Sequence, residues 1–330
     1  MPPKEIYRLA ILWLVSGSLL SLHAQPMNVQ QFQNTQSAQE LQRPLTGWLA
    51  NTNPPELYPG ENTDTGPQHI LRYTPRPDYF DVFFDSQAFY SSDANYAEGA
   101  SATASMVYVN TIQAAVTPPE WKLGTGKFTT AAGYVSQWYD YSNEKLHSLD
   151  FNAQTAFVSG RYSVGNWQFG LGGNYTRLLD QNNNEQTYSE WLPAFTIQRF
   201  IPVRDNLLIS LGNQIDYHFT TVPAVPGTST EINNRFDEAV TLTVSWLITR
   251  QLSLQPYYRF QFSNYRYNTL QTSDRNDYLN SFGLTLTYAF NQTFSVRCFF
   301  NANINQSNDP YVPAYHEYNE GIGANLNFAF

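Results

Sequence analysis

From Tyr79 to the last residue the chain alternates apolar and polar side chains. In an extended strand successive side chains point to opposite faces, so such alternation separates one greasy face from one wet face. Leu207, Ile209, Leu211, Ile215, Tyr217 and Phe219 fall on one side of their stretch, and Ser210, Gly212, Gln214, Asp216 and His218 on the other. Val240, Leu242, Val244, Trp246 and Ile248 likewise oppose Thr241, Thr243 and Ser245. Next, Leu252, Leu254, Tyr258, Phe260 and Phe262 oppose Ser253, Gln255, Arg259, Gln261 and Ser263. In the final stretch Ile322, Ala324, Leu326, Phe328 and Phe330 oppose Gly323, Asn325, Asn327 and Ala329.

Alternation and turn residues together predict about twelve strands. They span 81–92, 101–115, 127–140, 150–162, 166–179, 186–200, 206–221, 236–248, 252–265, 276–290, 293–305 and 318–330. These are longer than the common globular strand of about 5 or 6 residues, and their length suits strands tilted across a bilayer. Tight connections near 163–165, 202–205, 249–251 and 291–292 alternate with long polar ones such as DQNNNEQ and VPAVPGTSTEINNR. An up-and-down barrel with one short-turn rim and one long-loop rim requires that alternation. The long connection AVTPPEWKLGTG is the exception: either the third strand begins early, near Trp121, or that turn carries an elaboration.

Ahead of the strands, residues 1–24 read as a secretory signal: Lys4 and Arg8, the apolar run LAILWLVSGSLLSL, then Leu22-His23-Ala24 before Gln25. Residues 25–78 are rich in Gln, Asn, Pro and Thr with no sustained period, and are expected to form a low-order, flexible N-terminal extension. A linker is the plain reading of that segment, and a plug or partner-docking arm the functional one. Residues 79–330 would then be the barrel.

Composition fits. Only 14% of residues are charged against 16% aromatic, and mean hydropathy is −0.42, as expected when the outside meets lipid and the inside water. A formal net charge of −9 with no basic cluster excludes nucleic acid as a partner. The single cysteine, Cys298, rules out an internal disulfide, and its alternation with Phe294, Val296 and Phe300 places it on the lipid face.

The closing stretch GIGANLNFAF, apolar on one side and ending in Phe330, resembles the last strand of bacterial outer-membrane β-barrel proteins. The resemblance covers 79–330 at the level of pattern. It implies an all-β, closed, antiparallel, up-and-down transmembrane β-barrel in the outer membrane, with both termini periplasmic. It also implies that Phe328 and Phe330 belong to the signal read by the barrel-insertion machinery. Aromatic pairs at strand ends, Phe83 with Phe84, Tyr139 with Tyr141, Tyr257 with Tyr258 and Phe299 with Phe300, suit interfacial girdles.

Candidate chemistry lies on the wet face. Glu190, Gln214, Asp216, His218, Arg259, Gln261 and Arg297 are expected to line the lumen, since a charge on the lipid face costs roughly 2–4 kcal/mol at mid-depth. They suit either a constriction that selects small polar solutes by charge or ion pairs that close a narrow barrel. Asp216 and His218 also form an acid–base pair, but no nucleophile motif accompanies them, so no catalytic residue and no enzyme is expected. No cofactor and no metal site is expected; acids such as Glu231, Asp237, Asp277, Asp309 and Glu317 lack calcium-loop spacing and read as solvated loop charge. The function expected is a narrow passive channel for small polar solutes. The alternative is a closed barrel that binds a protein partner in envelope assembly or polysaccharide export, through its loops or N-terminal arm; an embedded hydrolase ranks third.

Overall fold

A computed structural model of the chain describes residues 27–42, 79–97, 101–224, 229–266, 275–310, 312 and 314–330. The expected signal segment, and the extension beyond residue 42, lie outside the described residues.

The strands are β1 Phe80–Ser91, β2 Ser105–Val116, β3 Trp121–Leu123, β4 Gly126–Tyr141, β5 Phe151–Val164, β6 Trp167–Asp180 and β7 Gln186–Arg204. They continue with β8 Leu207–Thr221, β9 Arg235–Leu247, β10 Leu252–Tyr265, β11 Arg275–Ala289, β12 Phe294–Ser307 and β13 Tyr315–Ala329. Each pairs antiparallel with its neighbour from β4 through β13; β13 then pairs with β1, β1 with β2, and β2 with β4. The result is a closed barrel of twelve strands with β3 as a small extra strand. Closure leaves the twelve wall strands without a free edge, which a bilayer core without water demands. β3 resolves the one irregular connection: it folds back onto the start of β4, with Trp121 opposite Phe128, so the turn carries an elaboration.

Short connections at 165–166, 205–206, 248–251 and 290–293 share one rim; the connections at 92–104, 142–150, 181–185, 222–234, 266–274 and 308–314 share the other. The apolar alternates point outward: Leu171, Leu211, Trp246, Phe282 and Ile322 are all exposed, as is Cys298. At the short-turn rim the terminal residue is tied in by backbone bonds, Phe330 N to Phe80 O at 2.9 Å and Tyr79 N to Phe330 O at 2.7 Å. Phe328 packs edge-on against Phe84 there and stacks with Phe330.

The expectation of low order for residues 25–78 is corrected over part of its length, because Met27–Gln42 is an α-helix, α1. Its sequence is rich in helix-formers and free of interior Gly and Pro, with Pro26 just before it and Pro44 just after, where proline suits a helix start and forbids continuation. α1 shows no amphipathic face because it lies inside the barrel, with an apolar cluster and polar wall residues both packed around it. Gln31, like Val29 and Phe32, has no exposed surface.

Three of the aromatic pairs expected in girdles are also corrected, one wholly and two in one member. Tyr139 and Tyr141 both point inward and are buried, and Phe299 and Tyr257 are the inward members of their pairs. Tyr139 stacks on Phe151 and meets Phe32 of α1 edge-on. With Val29, Phe89, Leu146, Leu178, Tyr188 and Phe299 they form an apolar seat for α1 near the long-loop rim. Burying Phe32 alone there contributes about 1.5–3 kcal/mol.

Candidate functional site: the charged lumen belt

Beside the apolar seat, five adjacent strands build a belt of opposed charge, and the pleat explains it. Cross-strand register sets Asp216 opposite Asp237, Asp237 opposite Ser263, and Ser263 opposite Asp277, giving one acidic row across β8 to β11. Two residues along each strand on the same face, the register aligns His218, Arg235, Tyr265 and Arg275 into a basic row. Period two thus places each cation beside an acid of its own strand.

The contacts are short. Arg235 Nε donates to both carboxylate oxygens of Asp237 at 3.0 Å. Arg275 forms an ion pair with Asp277. Tyr265 lies between the two guanidiniums, whose carbons sit 5.3 Å and 4.0 Å from its ring centroid. His218 Nδ1 is 2.9 Å from Glu190 Oε2, which also accepts from Tyr188 OH at 2.7 Å. His218 Nε2 lies 3.1 Å from Asp216 Oδ1, 3.0 Å from Asp237 Oδ2 and 3.2 Å from Arg235 Nη2. Gln214 Nε2 donates to Asp216 at 2.7 Å, and Gln261 Nε2 to Asp237 at 2.9 Å.

α1 is bonded into this belt. Arg235 Nη2 donates to Gln33 Oε1 at 2.9 Å, and Gln33 Nε2 donates to Glu190 at 3.4 Å. On the opposite side Gln30 donates to Tyr315 OH at 2.8 Å, and Tyr96 OH donates to Gln31 at 2.7 Å. Between α1 and strands β5 to β13 remains a cavity of about 250 Å³, lined by Gln30, Gln33, Asn34, the belt, Arg161 and Arg259. Neutral amides and hydroxyls thus carry most of the helix's polar contacts, each contributing about 0.5–1.5 kcal/mol.

All seven expected pore-lining residues face inward, and six of them gather in this belt or line its cavity. Arg259 reaches Gln261 at 3.0 Å, while its Nε has no partner. Arg297 stands apart on β12, where its two terminal nitrogens hold both oxygens of Asp85 at 2.7 and 2.8 Å. Gly323 leaves room for it; a Cβ there would come within 3.0 Å of the guanidinium. Arg297 therefore belongs to a wall ion pair rather than to the cavity.

Sequence reasoning missed Arg235, Arg275, Tyr265 and Gln33, and it misjudged four acids, of which Asp309 lies in a loop as expected but is buried, at 5% exposure. Asp237, Asp277 and Glu317 are not solvated loop residues: all three are buried on the inward face of strands. Each lies within three residues of a strand's start, where the polar loop blurs the alternation. Glu317 accepts from Ser91 and Asn303 at 3.0 and 2.9 Å. Among the described residues Glu190, Asp216 and Asp237 lie within hydrogen-bond reach of His218, and none of the hydrogen bonds drawn to it involves a serine or cysteine. No helix among the described residues is long and apolar enough to cross a membrane.

No protein-family model and no curated protein sequence matches this chain. Its structure is similar to an outer-membrane channel from Pseudomonas putida F1, at 11% identity over 83% of this chain and 100% of that one, with a TM-score of 0.52. The NanC porin matches at 10% identity over 74% and 98% of the two chains, TM-score 0.43. A KdgM porin in complex with disordered oligogalacturonate matches at 9% over 74% and 99%, TM-score 0.39. The likeness is one of fold, and the fold is that of bacterial outer-membrane β-barrel proteins.

Proposed function

Given a closed barrel with a lipid-ready exterior and a charged interior, we propose that this chain is a narrow outer-membrane channel for small polar solutes in which α1 sets the bore. The single observation that carries the reading is the cavity of about 250 Å³ beside α1, walled by side chains of both charges, amides and hydroxyls. Solutes that hydrogen-bond meet partners there, beside apolar stretches of wall such as Leu192 and Leu279. On this reading the short-turn rim and both termini face the periplasm, and Phe328 and Phe330 carry the insertion signal.

The experiment is single-channel recording in planar bilayers with folded, heat-modifiable protein. Small, discrete conductance steps and slow uptake of small sugars or amino acids into proteoliposomes are expected. Folded protein that neither conducts nor admits solutes would overturn the channel reading. One observation favours the closed, partner-binding barrel: α1 seals the loop-rim half of the lumen through both an apolar seat and hydrogen bonds. Absence of current even after removal of α1 would support that second reading.

A further inference from the structure

The belt contains a place where ordinary pairing does not balance. Asp216 and Asp237 stand directly opposite each other on β8 and β9, and like charges so placed repel. Both are buried, at 6% and 3% exposure. Their oxygens Oδ1 and Oδ2 converge on one atom, His218 Nε2, at 3.1 and 3.0 Å. A single imidazole N–H can only be shared between two carboxylates, and no hydrogen bond of ordinary geometry reaches Asp216 Oδ1. If instead Nδ1 donates to Glu190, Nε2 turns its lone pair toward the same two carboxylates. One cation among the three atoms relieves both arrangements.

We propose that Asp216, His218 and Asp237 form a site for a divalent transition cation of the zinc class. Its three donor atoms lie within 4.8 Å of one another. Separations of 3.0 and 3.1 Å between neighbouring donors are those of ligands about 2.0–2.2 Å from a common ion at angles near 90°, shorter than in a tetrahedral site, so the ion would be five- or six-coordinate. One imidazole with two carboxylates is a borderline donor set that suits zinc and its neighbours, whereas calcium and magnesium prefer oxygen alone. Glu190 takes the role that a carboxylate commonly plays behind a metal-bound histidine, holding Nδ1–H and fixing the ring. All three donors line the cavity, which gives the ion a route and leaves its remaining positions to water or a solute.

Arg235 Nη2, 3.2 Å from Nε2, is the competing cation. It shares Gln33 of α1 as a partner, and its Nε keeps Asp237 independently, so Nη2 can withdraw without loss of the Arg235–Asp237 pair.

The test is equilibrium dialysis of folded, chelator-stripped protein in detergent against micromolar Zn2+, read as metal per chain by mass spectrometry. About one zinc ion per chain is expected, with no retention of Ca2+ under the same conditions. His218→Ala should weaken binding at least tenfold, as losses in a metal's ligand shell do, while His147→Ala and Cys298→Ser leave it unchanged. A wild-type protein that retains no zinc, or an H218A protein that retains it fully, overturns the site. Should His218→Ala fail to fold, the Co2+ spectrum of the wild type decides. Weak visible bands without thiolate charge transfer support the nitrogen and oxygen ligands, and an intense near-ultraviolet thiolate band overturns them by placing the ion on Cys298.

Discussion

The barrel wall and the helix it encloses obey opposite rules of legibility. Every wall strand meets lipid on one side and the lumen on the other, so each carries a period of two that the bare sequence displays. α1 meets only the lumen, and its buried positions include Gln31 and Thr35 beside Val29 and Phe32. Apolar and uncharged polar side chains are buried on it alike, and no periodic stripe forms. A pattern of burial appears in a sequence only where two solvents compete for the two faces of an element.

That contrast predicts how each region fails. Removing Arg297 should cost most, because Asp85 is then left buried without its guanidinium; breaking such a pair costs about 3–5 kcal/mol. Arg297→Ala should therefore show that loss in urea unfolding from lipid vesicles, and Asp85→Asn in the same chain should recover much of it. A charge on the outer face comes next. Leu211 is 47% exposed on β8, and Leu211→Arg should cost about 2–4 kcal/mol in the same assay, whereas the change would be almost free if that face met water.

Changes in α1 should leave the wall intact. Phe32→Ala removes the ring seated on Tyr139, so the heat-modifiable mobility and unfolding midpoint should stay near wild type while a protease reaches the N-terminal segment faster. Gln33→Ala, smallest of all, removes hydrogen bonds to Glu190 and Arg235 and should loosen helix docking by about 1 kcal/mol, seen as a modest rise in proteolysis rate. Loss of barrel stability from either substitution would mean that α1 and the wall fold as one unit.

Most of the wall was legible. β10 falls at 252–265, where the alternation placed it, and most other boundaries shift by only a residue or two. β2 starts later than expected, because 101–104 alternates as a strand would; β13 starts earlier, because Tyr315, His316 and Glu317 read as loop; and β7 runs on past 200 to Arg204. The inward direction of Glu190, Asp216, His218, Arg259 and Arg297 was legible too, since a charge cannot rest against lipid. Their partners were not, because pairing depends on register between strands, and a one-residue slip would exchange Asp237 for its outward neighbours. One signal for α1 did lie in the sequence. Tyr139, Tyr141, Phe151 and Tyr188 are large apolar residues on faces that should be wet, and a lumen that buries them must hold something to bury them against.

The most direct measurement compares single-channel conductance of the chain with that of one lacking residues 27–42, both shown to be folded by heat-modifiable mobility. A helix lying within a water-lined barrel predicts small steps from the intact chain and steps several-fold larger without it, since the space it fills becomes ion pathway. Identical conductance from the two would contradict the placement of α1 in the lumen.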